Sequence, residues 1–256
     1  MKRAFGITAD TPRIARIAAE VESLGYATLW TNDTPGASGL AAAEAAARAT
    51  TDIRIGVGVI PCDRRPAPTV IAELANLEIP ADRFVLGIGA GFSSDPLRAV
   101  RFTVEEIRTP VENPPAIGVA AMGARMCALA GELGDVVLLN WMTPARIAWA
   151  LRQIEKGAAG RRPEIASYVR AALGEDARSR IADEALRYAS MPHYRRHFEA
   201  MGAEPSEVGV ALGDAEDPLE PYDPLLDEVV VRALPRGTDE TDEILQIARS
   251  ASSPAA

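Results

Sequence analysis

Along the first ninety residues, apolar positions switch repeatedly between short continuous runs and helical spacing. Residues 4–8 make a compact run of strand length. Thr11 then suits a helix N-cap, and Pro12 the first helical position, where its missing N–H breaks no bond. Ile14, Ile17, Ala18, Val21 and Leu24 follow at helical spacing and give one apolar face. Gly25 predicts a left-handed helix end. The cycle repeats as a strand over 26–31, an Ala-rich helix over 39–50, a β-branched strand over 53–60, a helix over 68–77 and a strand over 84–88.

The second half is less regular. It predicts a helix over 95–108, a strand over 116–121, a helix over 124–133 ended by Gly134, and a strand over 135–139. A helix over 144–156 follows, with Thr143 as N-cap, then a strand over 165–173. Residues 175–201 read as helical with an interruption at Pro192. A strand over 228–233 and a helix over 238–249 complete eight strands. Strand followed by helix, in order, argues for parallel pairing through helical crossovers. A doubly wound sheet is the competing α/β architecture. Eight such units in this length favour a (β/α)8 TIM barrel. Residues 1–250 read as one domain and 251–256 as a frayed tail.

Composition narrows the function classes. The chain is 48% hydrophobic and 25% charged, an ordinary globular balance. Only 5% is aromatic, so small side chains must build much of the core. The net charge of -9 argues against nucleic acid as a partner, and an anionic cofactor needs local donors such as helix N-termini. Cys62 and Cys127 lie outside any C-x-x-C pair and read as free thiols of a cytoplasmic protein. No apolar run nears the ~20 residues of a membrane span, and the residues leading into the first strand do not read as a signal peptide, so none is expected.

In a barrel, chemistry sits at strand C-termini and in the loops after them. After the second strand, Asp33 is the only carboxylate. It suits a cofactor hydrogen bond or proton handling, or else turn chemistry in Asp33-Thr34-Pro35-Gly36. Gly56 and Gly58 mark either close backbone approach, against which a flat ring can lie, or eased packing. Gly87 and Gly89 begin a dinucleotide fingerprint that fails at Phe92. Small residues over 120–124 open a helix whose free N–H groups, with Arg125 nearby, make the best phosphate site in the chain. The alternative there is an ordinary loop. His193 and His197 have the spacing of a helical metal pair, but Arg195 and Arg196 lie between them and the usual glutamate is missing. A surface or packing role is expected, and no metal.

Several of these pieces resemble one family in order and spacing. Gly25-Tyr26-Ala27-Thr28-Leu29-Trp30 with Asp33 resembles its strand 2 signature. Gly56-Val57-Gly58-Val59, followed by Pro66-Ala67-Pro68, resembles its strand 3 block. Arg83-Phe84-Val85-Leu86-Gly87-Ile88-Gly89-Ala90-Gly91 resembles its strand 4 block. Ala120-Ala121-Met122-Gly123, then Gly131 to Val137, resembles its phosphate segment, and Pro192-His193-Tyr194 fits a pattern near the C-terminal helix. The family is the bacterial luciferase-like monooxygenases, and within it the chain looks like the branch of oxidoreductases that use coenzyme F-420, a deazaflavin. The likeness spans about residues 5–231, apart from one gap.

The resemblance implies a TIM barrel shortened after strand 4, a small-molecule substrate and a homodimer. It implies hydride transfer with coenzyme F-420, with an FMN-dependent monooxygenase as the alternative. Asp33 matches an acidic residue near the ring, with a catalytic or orienting role. Gly58 and Val59 match a non-proline cis peptide that bulges behind the ring. Ala90 and Gly91 match ring or tail contacts, and Ala121, Met122, Gly123 and Ala124 match the phosphate-binding turn. Two positions and one connection depart from the pattern. Thr34 stands where many relatives have His, Phe92 where some have Glu, and the connection from Gly91 to Pro115 is short. A monooxygenase must shield its reactive flavin from water, whereas deazaflavin hydride transfer tolerates an open site. The short connection therefore favours hydride transfer. It also leaves room for a non-catalytic cofactor-binding or assembly protein.

Overall fold

Alternation along each strand decides what fills the barrel. The computed structural model describes residues 1–8, 11–109, 113–213, 217–237 and 241–252. Within them, β1 (Lys2–Ile7), β2 (Thr28–Thr31), β3 (Arg54–Pro61), β4 (Phe84–Gly89), β5 (Ala116–Ala121), β6 (Val136–Asn140), β7 (Glu164–Leu173) and β9 (Glu228–Ala233) pair in that order. All pairings are parallel, and β9 returns to β1 to close an eight-stranded ring. One residue from each of several strands meets at the centre: Ala4, Trp30, Val85, Val136, Ala166 and Val230 form one buried cluster. Their sequence neighbours point outward and pack beneath the helices in the main core. This is the expected (β/α)8 TIM barrel.

A ninth strand, β8 (Gly209–Leu212), corrects the expected count. Sequence pattern misses it because Gly-Val-Ala-Leu is too short to show alternation. It pairs with Arg170 to Leu173 of β7, on the edge that β6 leaves free after pairing as far as Tyr168.

The helices are α1 (Thr11–Ser23), α2 (Gly39–Arg48), α3 (Ala67–Leu74), α4 (Pro96–Arg108), α5 (Ala124–Leu133), α6 (Pro144–Ala158), α7 (Ala177–Ala189), α8 (Pro192–Met201) and α9 (Thr241–Ala251). Ser38, Asp95 and Thr143 cap α2, α4 and α6 by accepting from backbone N–H groups, worth about 1 kcal/mol each. Gly25 has φ +79°, so α1 ends as expected. Gly134 ends α5 with φ −76°, without a left-handed turn. The break at Pro192 separates α7 from α8, where proline begins the new helix. Residues 238–240 of the expected last helix, and 253–256 of the expected tail, lie outside the described residues; Ala251 closes α9.

A polar plug closes the N-terminal end of the barrel. Glu228 is wholly buried and accepts from Thr28 Oγ1 (2.6 Å), Trp30 Nε1 (2.8 Å) and Arg54 (3.2 Å). Arg54 also grips Glu164 through both terminal nitrogens, each at 2.7 Å. Burial pushes the Glu228 carboxyl up in pKa, against the opposing pull of Arg54. Gly56 belongs to this packing: a β-carbon there would stand 2.3 Å from the Trp30 indole. This buried network seals the barrel at the N-terminal ends of its strands.

Candidate active site

Three adjacent strands carry the expected site residues to one rim. Pairing holds Ile60 beside Ile88, Pro61 beside Gly89 and Ile88 beside Val119. The ends of β3, β4 and β5 are therefore neighbours. The register of β3 on β4 shifts between Val57 and Ile60, and the Gly58–Val59 peptide bond is cis. Val59 packs its methyl groups toward Gly89, where a β-carbon would stand 2.5 Å away. That same position lies 3.7 Å from the Ala120 Cβ, so β3, β4 and β5 share one small-residue surface.

Beyond β4, Gly91 has φ +58°, a conformation that L side chains rarely adopt. Asp63 presses against it and accepts from the Phe92 N–H at 3.0 Å. Ala90 is half-buried beside it. Phe92 itself is 71% exposed and sets its edge against the His193 ring, 5.2 Å between centroids. This contact ties the loop after β4 to α8.

Beyond β5, Ala121 is buried, Met122 half-buried, and Gly123 and Ala124 exposed. Gly123 is the N-cap of α5 and offers no side chain to the helix end. Nothing lies within 4 Å of where its β-carbon would be. The first N–H groups of a ten-residue helix thus face open space, the arrangement that suits a phosphate.

Asp33 sits on the same rim but is fully engaged. One carboxylate oxygen accepts from Gly39 N–H (3.1 Å) and Arg65 (2.6 Å), the other from Arg64 (3.1 Å). Its side chain is 3% exposed. A depression of about 510 Å³ over it is lined by residues 33–38 with Arg64 and Arg65. A further groove of about 700 Å³ opens between α2 and α3, and none of the expected site residues lines it.

Four inward-facing residues escaped sequence reasoning: Tyr168, which packs at the barrel centre, and Asn32, Arg170 and Arg232 nearer the rim. Asn32 donates its amide to the Gly58 carbonyl and accepts from Thr8 Oγ1 at 3.1 Å. The buried Tyr168 hydroxyl has no hydrogen-bond partner among the described residues and points at Gly58. Burial raises its pKa, so it keeps its proton. Arg170 stacks on Trp141 at 3.5 Å and donates to Asn140. Counting by twos from Trp30, Ala166 and Val230 finds Asn32, Tyr168, Arg170 and Arg232 at once, once those three residues are known to point inward.

The histidines of α8 have packing roles. His197 Nε2 donates to the Trp141 carbonyl at 2.7 Å, since a carbonyl only accepts. His193 lies between the rings of Phe92 and Tyr194. Among the described residues, no helix is long and apolar enough to cross a membrane.

Comparison with known proteins agrees with this fold. A sequence model of luciferase-like monooxygenase matches residues 5–106 and 95–241. A 5,10-methylenetetrahydromethanopterin reductase of Archaeoglobus fulgidus is 31% identical over 175 residues, 56% of this chain and 48% of that protein. The match thus spans about half the length of that relative. In structure, the chain is similar to a coenzyme F-420-dependent tetrahydromethanopterin reductase of Methanopyrus kandleri. The TM-score is 0.73 at 18% identity, covering 97% of each chain. It is also similar to the oxygenating constituent of 3,6-diketocamphane monooxygenase of Pseudomonas putida in complex with FMN. Here the TM-score is 0.66 at 13% identity, covering 98% of this chain and 97% of the other.

Proposed function

Because the chain belongs to the luciferase-like monooxygenase family, a family of enzymes, we propose that it is an oxidoreductase using the deazaflavin coenzyme F-420. In this reading it transfers hydride to or from a small organic substrate. The carrying observation is the convergence of three features on adjacent strand ends: the Gly58–Val59 bulge, the glycine-lined end of β4 and the open N-terminus of α5. A ligand with a flat ring and a phosphate tail fits that set. Side chains at Gly89 and Gly91 would fill the surface, and Gly123 leaves the helix end free.

When bound, such a cofactor supplies a ring carbon that carries hydride. The residues of the chain bind and orient. Val59, Gly89, Ala90 and Gly91 would form the surface behind the ring, and Ala121 and Met122 would lead it toward the tail. The N–H groups of the first turn of α5, after Gly123, would hold the phosphate. Asn32 fixes the Gly58 carbonyl and with it the bulge. Of the two roles expected of Asp33, orientation is the better supported, because both its oxygens are taken by Arg64, Arg65 and Gly39. The relationship to reductases by sequence and by fold favours the deazaflavin. The likeness to an FMN-bound oxygenase keeps FMN as the second reading.

The test is separate titration of the pure protein with coenzyme F-420 and with FMN, followed by absorbance and fluorescence. The proposal expects coenzyme F-420 to bind more tightly, with Kd well below ~1 mM, the level at which binding supplies only about 4 kcal/mol. Preferential binding of FMN overturns the choice of cofactor, and binding of neither overturns the assignment.

A further inference from the structure

Two arginines stand on neighbouring strands of the inner wall of the barrel, their guanidinium groups turned apart, one toward Asn140 on the β6 side and the other toward Gly6 and Thr8 on the β1 side. Arg170 of β7 and Arg232 of β9 are direct register partners in parallel strands. Both face inward, two residues beyond Tyr168 and Val230, which pack at the barrel centre. Like charges placed opposite each other across a strand pair repel. Arg170 has compensation: Asn140, the Trp141 face, and Glu184 at 3.8 Å. Arg232 meets only neutral oxygens, those of Gly6 (3.4 Å), Ala233 (3.2 Å) and Thr8 (3.1 Å). Among the described residues no carboxylate pairs with it.

The surroundings add donors without acceptors to match. The Tyr168 hydroxyl is buried, protonated and unpartnered. Arg170 Nε makes no hydrogen bond. In the ring order, β7 and β9 stand opposite β3 and β4, and the Tyr168 side chain reaches across to the glycine-lined surface at Gly58. The protein as a whole carries a charge of -9, which repels anions, so a concentrated cationic wall at the mouth is not a by-product of composition.

We propose that Arg232, together with the Tyr168 hydroxyl, binds a carboxylate of the substrate and holds the substrate beside the cofactor surface. The substrate class is thus an organic acid. This inference rests on the preceding reading for its geometry, although the anion site itself does not depend on it. A bidentate guanidinium matches a carboxylate in shape as well as charge.

The probes are succinate, its neutral analogue succinamide, and coenzyme F-420, each titrated into the full chain and followed by tryptophan fluorescence, since Trp141 lies under Arg170. Succinate is expected to bind saturably and succinamide not to bind. Arg232→Gln should weaken succinate about tenfold or more and Arg232→Lys less, as loss of charge and loss of the fork predict. Tyr168→Phe should weaken it several-fold, and coenzyme F-420 affinity should stay within about twofold in Arg232→Gln. Melting curves of all variants exclude unfolding as the cause, and Arg232→Lys supplies the folded comparison if Arg232→Gln melts early. The proposal is overturned if the parent protein does not bind succinate, if Arg232→Gln and Arg232→Lys bind it as the parent does, or if succinamide binds equally. Loss of coenzyme F-420 binding in Arg232→Gln also overturns it, by giving the wall to the phosphate tail. A parent that binds succinate through Arg232 but no coenzyme F-420 upholds the anion site and sinks the cofactor reading instead.

Discussion

The Tyr168 hydroxyl lies so close to the Gly58 α-carbon that a β-carbon there would stand 2.0 Å from the oxygen. The shape of the bulge therefore depends on the tyrosine beneath it. Gly58→Ala is expected to destabilise the protein by about 1–3 kcal/mol through overpacking. It should also weaken coenzyme F-420, because the surface behind the ring must lift. Adding Tyr168→Phe removes the colliding oxygen and should restore part of both losses, a coupling readable in a double-mutant cycle of melting and binding. Strict additivity contradicts the claimed contact.

Gly123 separates stability from binding. Its site is open, and it caps α5 without a side chain. Gly123→Asp should leave stability unchanged or raise it by a few tenths of a kcal/mol, since aspartate accepts from a helix N-terminus. The same carboxylate then occupies the place proposed for the phosphate and repels it. Coenzyme F-420 affinity should fall at least about tenfold with no loss in melting temperature. Unchanged affinity places the phosphate elsewhere.

Asp33 couples two loops. It holds Arg64 and Arg65 from the loop after β3 and the first N–H of α2. Asp33→Asn keeps one acceptor but removes the charge, leaving Arg65 with Glu73 alone and Arg64 without the carboxylate it pairs with. A loss of about 1–3 kcal/mol is expected by denaturant titration. Because the role assigned is orientation, turnover should drop without any change in the pKa values of the pH–rate profile. Disappearance of one limb of that profile shows proton relay instead.

His197 makes stability pH-dependent. Burial holds its pKa below the ordinary 6.5, against the Trp141 carbonyl, which pulls it up, and with Arg146 adding repulsion. The unfolded chain then binds more protons than the folded one below that ordinary value. Its contribution is complete above about pH 6.5 and declines as pH falls through the window below. His193 is shifted in the same direction, by burial and then Arg196. Melting temperature should decline from pH 7 toward pH 5, with a shallower decline in His197→Gln, and His193→Gln should separate the smaller share of the more exposed ring. An unchanged slope in His197→Gln contradicts the buried neutral imidazole.

The barrel was legible because its signals are local. Pro12, Gly25, Thr143 and Pro192 mark helix ends by their own backbone chemistry, and the β-branched run at 53–60 is long enough to read. Strand β8 was not legible, because four residues on an edge carry no pattern of their own. The glycine side of the site was readable, since Gly58, Gly91 and Gly123 are conspicuous in sequence. The cationic side was not. Arg170 and Arg232 are 62 positions apart and become neighbours only through strand register. Asp33 drew attention as the only carboxylate after β2, while its neighbour Asn32, pointing inward, contacts the bulge.

Hydrogen–deuterium exchange with and without saturating coenzyme F-420 tests the account most directly. Slowed exchange is predicted together at residues 58–62, 89–92 and 122–126, the three strand ends that one ring and its phosphate tail must span. Protection confined to the groove between α2 and α3, or none at any of the three segments, contradicts it.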